Sequence, residues 1–286
     1  MKSSCGAKPP FRFSRDLMLS DEPWNFGGLF MPLDPAFLAR PIAHRALHDR
    51  AAGRIENSRA AVRAAVEAGY PIEIDIQPSS DGVAMVFHDQ RLKRLTGREG
   101  LVKELTAAEL GRIPLLDSQP EETIPTLSEI LEIVGGKVPL VIEIKDQSGD
   151  MDDKNLGPLE AALLAALKGY EGPVAAMSFN PHSVRLLRDS APDLARGLIS
   201  YDYVNKVFAS DAHLPEARKA HLTALRDFDA IGAEFVSFGA ESFPSAELTA
   251  LRKGGVPVLC WTIKSFDQIP FASLHADQIT FEGFRP

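Results

Sequence analysis

Residues 57–77 read NSRAAVRAAVEAGYPIEIDIQ, and this stretch decides the architecture. Its first part is an amphipathic helical run, with Asn57 placed to cap its start and Gly69 just past its end. Its second part, Ile72 to Gln77, alternates isoleucine with Glu73 and Asp75, the period-2 pattern of a strand with two different faces. A helix feeding directly into such a strand is half of a β/α/β unit.

Working outward, the same alternation runs through the chain from Pro41 onward. Strands are predicted at Pro41 to Ala43, Ile72 to Gln77, Leu140 to Ile144, Val174 to Ser178, Gly197 to Ser200, Phe235 to Phe238, Val256 to Ile263 and Gln278 to Phe281. Between them lie amphipathic segments with helix signals, such as the Thr126/Glu129 capping box closed by Gly135. Eight such units match the size of a TIM (β/α)8 barrel, about 250 residues; a doubly wound open sheet is the alternative. One segment, Ser79 to Pro125, is too long for a simple connection. Its Asp81-Gly82 turn signal predicts that Val83 to Phe87 folds back on the second strand, so an insertion (about 79–125) stands over one barrel mouth. Residues 1–40 carry five prolines and scattered aromatics and read as an N-terminal arm that packs on a single 41–286 barrel domain. With few residues after the eighth strand, the arm is expected to cover the place of the last helix.

Composition sets outer bounds. The 286 residues are 45% hydrophobic and 24% charged, which is ordinary for a globular protein. A formal charge of −8 argues against nucleic acid or an anionic membrane as the main partner, while leaving room for a small anionic substrate. Cys5 and Cys260 are too few for a disulfide framework, and Cys260 reads as a small buried hydrophobe. No apolar run reaches the roughly 20 residues of a membrane span, and the first residues lack a signal-peptide core. These features predict a soluble, cytoplasmic protein whose oligomeric state is undetermined.

Ionisable residues inside apolar strands are the informative anomaly. Glu73 and Asp75 share one strand face, as do Glu143 and Lys145 in PLVIEIK, and both pairs are read as lying toward the C-terminal ends of their strands. Three converging carboxylates raise one another's pKa unless positive charge sits between them. A divalent cation with all-oxygen ligands, Mg²⁺ or Ca²⁺, meets that need. A metal-free network in which Lys145 and Arg45 neutralise the acids meets it too. His44 and His88 each end an apolar run, and beside the acids they complete an inventory suited to phosphoester cleavage. Glu56 is read either as an acid holding Arg45 or a metal-bound water, or as a helix N-terminal carboxylate. Trp261 and Phe179 are read as pocket walls or core, and Arg91, Lys93, Arg94, Arg98 and Lys103 as a mostly solvated face.

The ordered set His44-Arg45, Glu56-Asn57, Glu73-x-Asp75, Asp81-Gly82, His88-Asp89, Pro125-Thr126-Leu127, Glu143-x-Lys145 and Trp261-Thr262 resembles the glycerophosphodiester phosphodiesterase family across residues 41–283. The resemblance implies a TIM barrel with a small insertion after its second strand. It implies metal ligation by Glu73, Asp75 and Glu143, acid/base roles for His44 and His88, and phosphate contacts from Arg45 and Lys145. Glu56, Trp261 and Phe179 would complete the substrate site. The expected reaction is hydrolysis of a small glycerophosphodiester to sn-glycerol 3-phosphate and an alcohol. A lysophospholipase D-like activity, with an apolar groove from Phe87, Phe179 or Trp261, and a non-catalytic phosphodiester-binding barrel are the alternatives. Three positions depart from the family pattern: Ala46 stands where Gly usually follows His-Arg, Lys264 where Asn is common, and Phe281 where Asp commonly follows Thr280.

Overall fold

The structure is a computed structural model that describes residues 33–206, 208 and 211–286. Its strands are β1 (Ile42–Ala43), β2 (Ile72–Pro78), β3 (Ala84–Val86), β4 (Leu140–Ile144), β5 (Val174–Ser178), β6 (Ala195–Ser200), β7 (Phe235–Gly239), β8 (Val258–Ile263) and β9 (Gln278–Phe281). All except β3 are parallel to their neighbours, in the order β1-β9-β8-β7-β6-β5-β4-β2, and β1 pairs back onto β2. The sheet therefore closes into an eight-stranded barrel, which excludes the open doubly wound alternative. Its helices are α1 (Arg59–Ala68), α2 (Lys93–Thr96), α3 (Ala107–Leu110), α4 (Leu127–Val134), α5 (Pro158–Ala166), α6 (Pro181–Ser190), α7 (Glu216–Thr223), α8 (Ala246–Lys253) and α9 (Ile269–His275). Among these, α1 and α4 to α9 are the crossovers, and α2 and α3 belong to the insertion.

Alternation along the strands divides the molecule into two cores. The outward residues of β2 and β4, Ile72, Ile74, Ile76, Leu140, Ile142 and Ile144, pack beneath helix residues such as Val62, Ile130 and Leu163. The inward residues Ile42, Val141, Ala175, Met177, Ile199, Phe235 and Leu259 fill the barrel. Leu33 and Phe37 join this inner cluster. Farther along the described part of the arm, Arg40 lies over the Tyr70 ring and the Leu38 carbonyl accepts from Gln278 of β9; residues 1–32, on which most of the expected cover falls, lie outside the described residues. The outer face beside β9 is lined by Phe281, whose ring meets Tyr70 and Phe284 edge-on, and the Tyr70 hydroxyl donates to the Pro286 carbonyl at 2.7 Å.

The insertion has its own small core of Met85, Phe87, Leu92, Leu95, Val102, Leu110, Ile113, Leu115 and Ile124. Its strand β3 runs antiparallel to the end of β2, with Ile76 opposite Val86, as the turn signal requires. Because Phe87 is buried in this core, it cannot line a substrate groove.

One helix start differs from expectation. Ser58, not Asn57, caps α1, its Oγ accepting from the Ala61 amide at 3.1 Å. Asn57 instead sits in the left-handed region at φ 60° and turns its amide into the barrel mouth. Two consecutive residues able to cap left the sequence signal ambiguous by one position.

Candidate active site

The site forms where β1, β2 and β4 end their shared register. Asp75 on β2 stands directly opposite Glu143 on β4, and Ala43, the last residue of β1, pairs with Ile72. Glu73 and Asp75 are the second and fourth of the seven residues of β2, not toward its C-terminal end as the sequence reading has them, because the strand runs on to pair its last residues with β3. Glu73, Asp75 and Glu143 are buried, and each places a carboxylate oxygen within 4.8 Å of the others.

These acids are unequally compensated. Lys145 Nζ bridges Asp75 Oδ1 at 2.7 Å and Glu143 Oε1, while Arg45 Nε lies 3.6 Å from Asp75 Oδ2. Asn57 Nδ2 donates to the same Oδ2 at 2.8 Å. Burial pushes the Asp75 carboxyl up, but Lys145, His88 and Arg45 outweigh it and hold the group well below the usual carboxylate range. Glu73 receives only the Arg45 backbone amide, at 2.9 Å, and no cationic side chain among the described residues pairs with it. Burial, then the charges of Asp75 and Glu143, drive its pKa well above normal. Burial also raises Glu143, with Lys145 opposing and Asp75 reinforcing. The metal-free network is therefore present but incomplete: two cations face three carboxylates, and Glu73 is left without one. An all-oxygen donor set with excess negative charge fits a hard divalent cation held by Glu73, Asp75 and Glu143.

Around this centre two histidines are each held through Nδ1. His44, directly after β1, donates from Nδ1 to Glu282 Oε2 at 2.6 Å; His88, just beyond β3, donates to Asp89 Oδ1 at 2.7 Å. A carboxylate can only accept, so the Nδ1–H tautomer is assigned from its partner. Burial lowers the His44 pKa, and the Glu282 hydrogen bond opposes it.

Arg94 links the two sides. Its guanidinium donates to Asp89 (Nε to Oδ2, 2.6 Å) and to Glu56 (Nη1 to Oε2, 2.7 Å; Nη2 to Oε1, 2.8 Å). Glu56 also accepts from Arg45 Nη1 at 2.7 Å. Burial alone would raise Glu56, but its bonds from Arg94 and the charge of Arg45 take it down to about 2. Glu56 is thus the acid that holds Arg45, and Arg94, on the exposed face read from the sequence, reaches from there to Glu56 and Asp89. Arg45 Nε itself is buried without a hydrogen-bond partner and faces Asp75 Oδ2.

The opposite half of the mouth, from β5 to β8, is aromatic. Trp261 meets Phe179 edge-on at 5.5 Å, and both rings contact Tyr201 at 6.4 Å. Phe208 stacks on Trp261 at 6.1 Å and is about half exposed, as is Val204. Trp261 Nε1 donates to the Ser237 carbonyl at 3.2 Å, fixing the ring. Cys260, one residue earlier, faces outward into the helix layer, where burial pushes its thiol up to about 12.

All ten residues singled out in the sequence stand at this end of the barrel. Asn57, Asp89, Arg94 and Glu282 join them without having been assigned a role there. Strand alternation two residues past Thr280 could have flagged Glu282. Arg94 carries no local signal, because its partner Glu56 is 38 residues away.

Residues 44–274 match the sequence model of the Glycerophosphoryl diester phosphodiesterase family. A glycerophosphodiester phosphodiesterase of Caldanaerobacter subterraneus subsp. tengcongensis is 40% identical over 153 residues, covering 50% of this chain and 60% of the relative. One from Bacillus altitudinis is 30% identical over 161 residues, covering 53% and 63%. The chain thus spans less than two thirds of the length of these relatives. The structure resembles that of an Oleispira antarctica phosphodiesterase in complex with the product sn-glycerol-3-phosphate, with a TM-score of 0.69, 25% identity and coverage of 86% of this chain and 94% of that one. The family match begins at His44 and encloses the three acids, both histidines, Arg45, Lys145 and Trp261, the same residues that the fold gathers at one mouth. By that match the chain belongs to the glycerophosphoryl diester phosphodiesterase family.

Proposed function

We propose that this chain hydrolyses glycerophosphodiesters to sn-glycerol 3-phosphate and an alcohol, using a divalent cation, Mg²⁺ or Ca²⁺. The observation that carries this reading is the meeting of Glu73, Asp75 and Glu143 within 4.8 Å beside Arg45, Lys145 and two carboxylate-held histidines. When bound by the three acids, the cation supplies the positive charge that polarises a phosphoryl oxygen. Arg45 and Lys145 bind the phosphate and offset charge that builds on it in the transition state. One histidine takes the proton of the attacking oxygen as the new P–O bond forms. The other gives a proton to the alkoxide as the old P–O bond breaks. Release of sn-glycerol 3-phosphate from glycerophosphocholine with Mg²⁺ or Ca²⁺, and its loss in EDTA, tests the reading. No release under any divalent ion would instead favour a phosphodiester-binding barrel.

A second substrate reading has an observation of its own. Phe208, about half exposed, extends the Trp261, Phe179 and Tyr201 wall outward as apolar surface, which suits an acylated substrate. A higher kcat/KM for lysophosphatidylcholine than for glycerophosphocholine would establish a lysophospholipase D-like preference.

A further inference from the structure

One position at which this sequence departs from its family, Lys264, meets the residue that follows another, Phe281. Phe281 replaces the Asp that commonly follows Thr280, and Glu282 comes next; Lys264 replaces a common Asn. The Glu282 amide donates to the Ile263 carbonyl at 3.0 Å, which continues the β8–β9 pairing by one residue. Alternation then sends the Glu282 side chain to the same side as Thr280, toward the mouth. Its Oε1 accepts from Lys264 Nζ at 2.9 Å and its Oε2 from His44 Nδ1 at 2.6 Å; His48 Nε2 lies 3.8 Å from Oε2, beyond hydrogen-bond reach. Glu282 also lies beyond the residues 44–274 that the family model matches.

We propose that Glu282 is the positioning residue for His44, with Lys264 as its counter-ion. The carboxylate accepts from Nδ1–H, locks the ring in one tautomer and orientation, and leaves Nε2, unpartnered among the described residues, to exchange the proton. When His44 takes up a proton, the adjacent negative charge stabilises the imidazolium. The hydrogen bond from His44, with the Lys264 ammonium and the His48 ring close by, holds the Glu282 carboxyl below its usual range, so it is ionised at neutral pH. The same arrangement recurs across the mouth, where His88 Nδ1 donates to Asp89 and Asp89 pairs with Arg94. Two unrelated segments building histidine, carboxylate and cation in the same order argue for a shared purpose. This inference rests on the proton-transfer role proposed for His44.

A double-mutant cycle on the full chain tests it, with glycerophosphocholine as substrate and saturating Mg²⁺ or Ca²⁺. His44→Ala should lower kcat by about 10² to 10⁴ fold. Glu282→Gln should lower it by about 10-fold or more, with KM and metal affinity within about twofold of the unsubstituted chain, and Glu282→Asp should recover part of the loss. The double variant should match His44→Ala alone, because nothing is left to position. A Glu282→Gln cost that persists undiminished without His44, or the absence of any cost, overturns the proposal. Full activity in His44→Ala, or no hydrolysis by the unsubstituted chain, overturns the role of His44 itself. Nitrogen-15 spectra of the unsubstituted chain give a reading that needs no variant to fold: His44 should carry its proton on Nδ1, and an Nε2–H tautomer would contradict the proposal.

Discussion

Glu73 is the residue at which fold and chemistry pull in opposite directions. It is buried beside two carboxylates, and the chain gives it one backbone amide and no cationic side chain among the described residues. The metal-free folded state therefore holds the Glu73 proton more tightly than the unfolded state does. Its contribution to stability is fully present below the ordinary Glu pKa and is lost as pH rises through the raised folded value. Glu73→Gln removes that loss. In EDTA at about pH 8 the variant should be more stable than the unsubstituted chain by about 1 kcal/mol or more, while binding no metal. A variant that melts lower under those conditions would mean that Glu73 is structural. Ala46 poses a smaller conflict. Its φ of 66° places a Cβ in the left-handed region, and its side chain is buried. Ala46→Gly relieves strain of about 1–2 kcal/mol but discards a buried methyl worth about 0.8 kcal/mol and loosens the unfolded chain by about 0.4–1 kcal/mol. Urea unfolding should register a change within about 1 kcal/mol either way, and kcat should not move. The departure from Gly is tolerated because the loop keeps its anchor, the Ala46 amide donating to the Glu73 carbonyl at 3.0 Å.

At the scale of elements, the insertion brings a side chain of its own, Arg94, to the acids at the barrel mouth. Leu92 and Leu95 are buried in its small core, which fixes the short helix α2 and aims Arg94 out of that core at Glu56 and Asp89. One guanidinium thereby holds the acid that holds Arg45 and the acid that holds His88. Its planar fork serves both carboxylates at once, which a point charge cannot do. Arg94→Met should lower kcat by about 10-fold or more with metal affinity unchanged, and added guanidinium should restore part of the rate; an unaltered kcat would reduce the clamp to a surface ion pair. The barrel strands and the hairpin were legible in the sequence because alternation and turn chemistry are local, and so was the convergence of Glu73, Asp75 and Glu143, whereas the register that sets Asp75 opposite Glu143 was not. Arg94 and Glu282 were not, because their partners lie 38 and 238 residues away. No local pattern encodes a side-chain pair that only barrel closure brings together. Asn57 was misread for the opposite reason: the local signal was present twice, and Ser58 took the cap.

For the whole molecule, the three acids tie separate parts of the barrel together. Glu73 and Asp75 come from β2 and Glu143 from β4, and the loop after β1 leans on the same centre through Arg45. A cation bound there cross-links elements far apart in sequence, in the native state alone, since the unfolded chain does not gather these carboxylates. Linkage then requires metal to raise the stability of the entire fold, by about 2.7 kcal/mol when free metal reaches 100 times its Kd. For a chain of this size that corresponds to a Tm increase of about 5–10 °C. Thermal melts in EDTA, Mg²⁺ and Ca²⁺ read this directly and do not depend on turnover. Protons should be released as metal binds, because Glu73 must ionise to ligate; affinity should therefore fall as pH is lowered. Glu143→Gln is the control, since it keeps the barrel and removes a ligand, and its melting temperature should no longer respond to metal. If Mg²⁺ and Ca²⁺ leave the Tm unmoved and hydrolysis continues in EDTA, then Lys145 and Arg45 suffice to neutralise the site, and the carboxylate cluster is an ion-pair network instead of a metal centre.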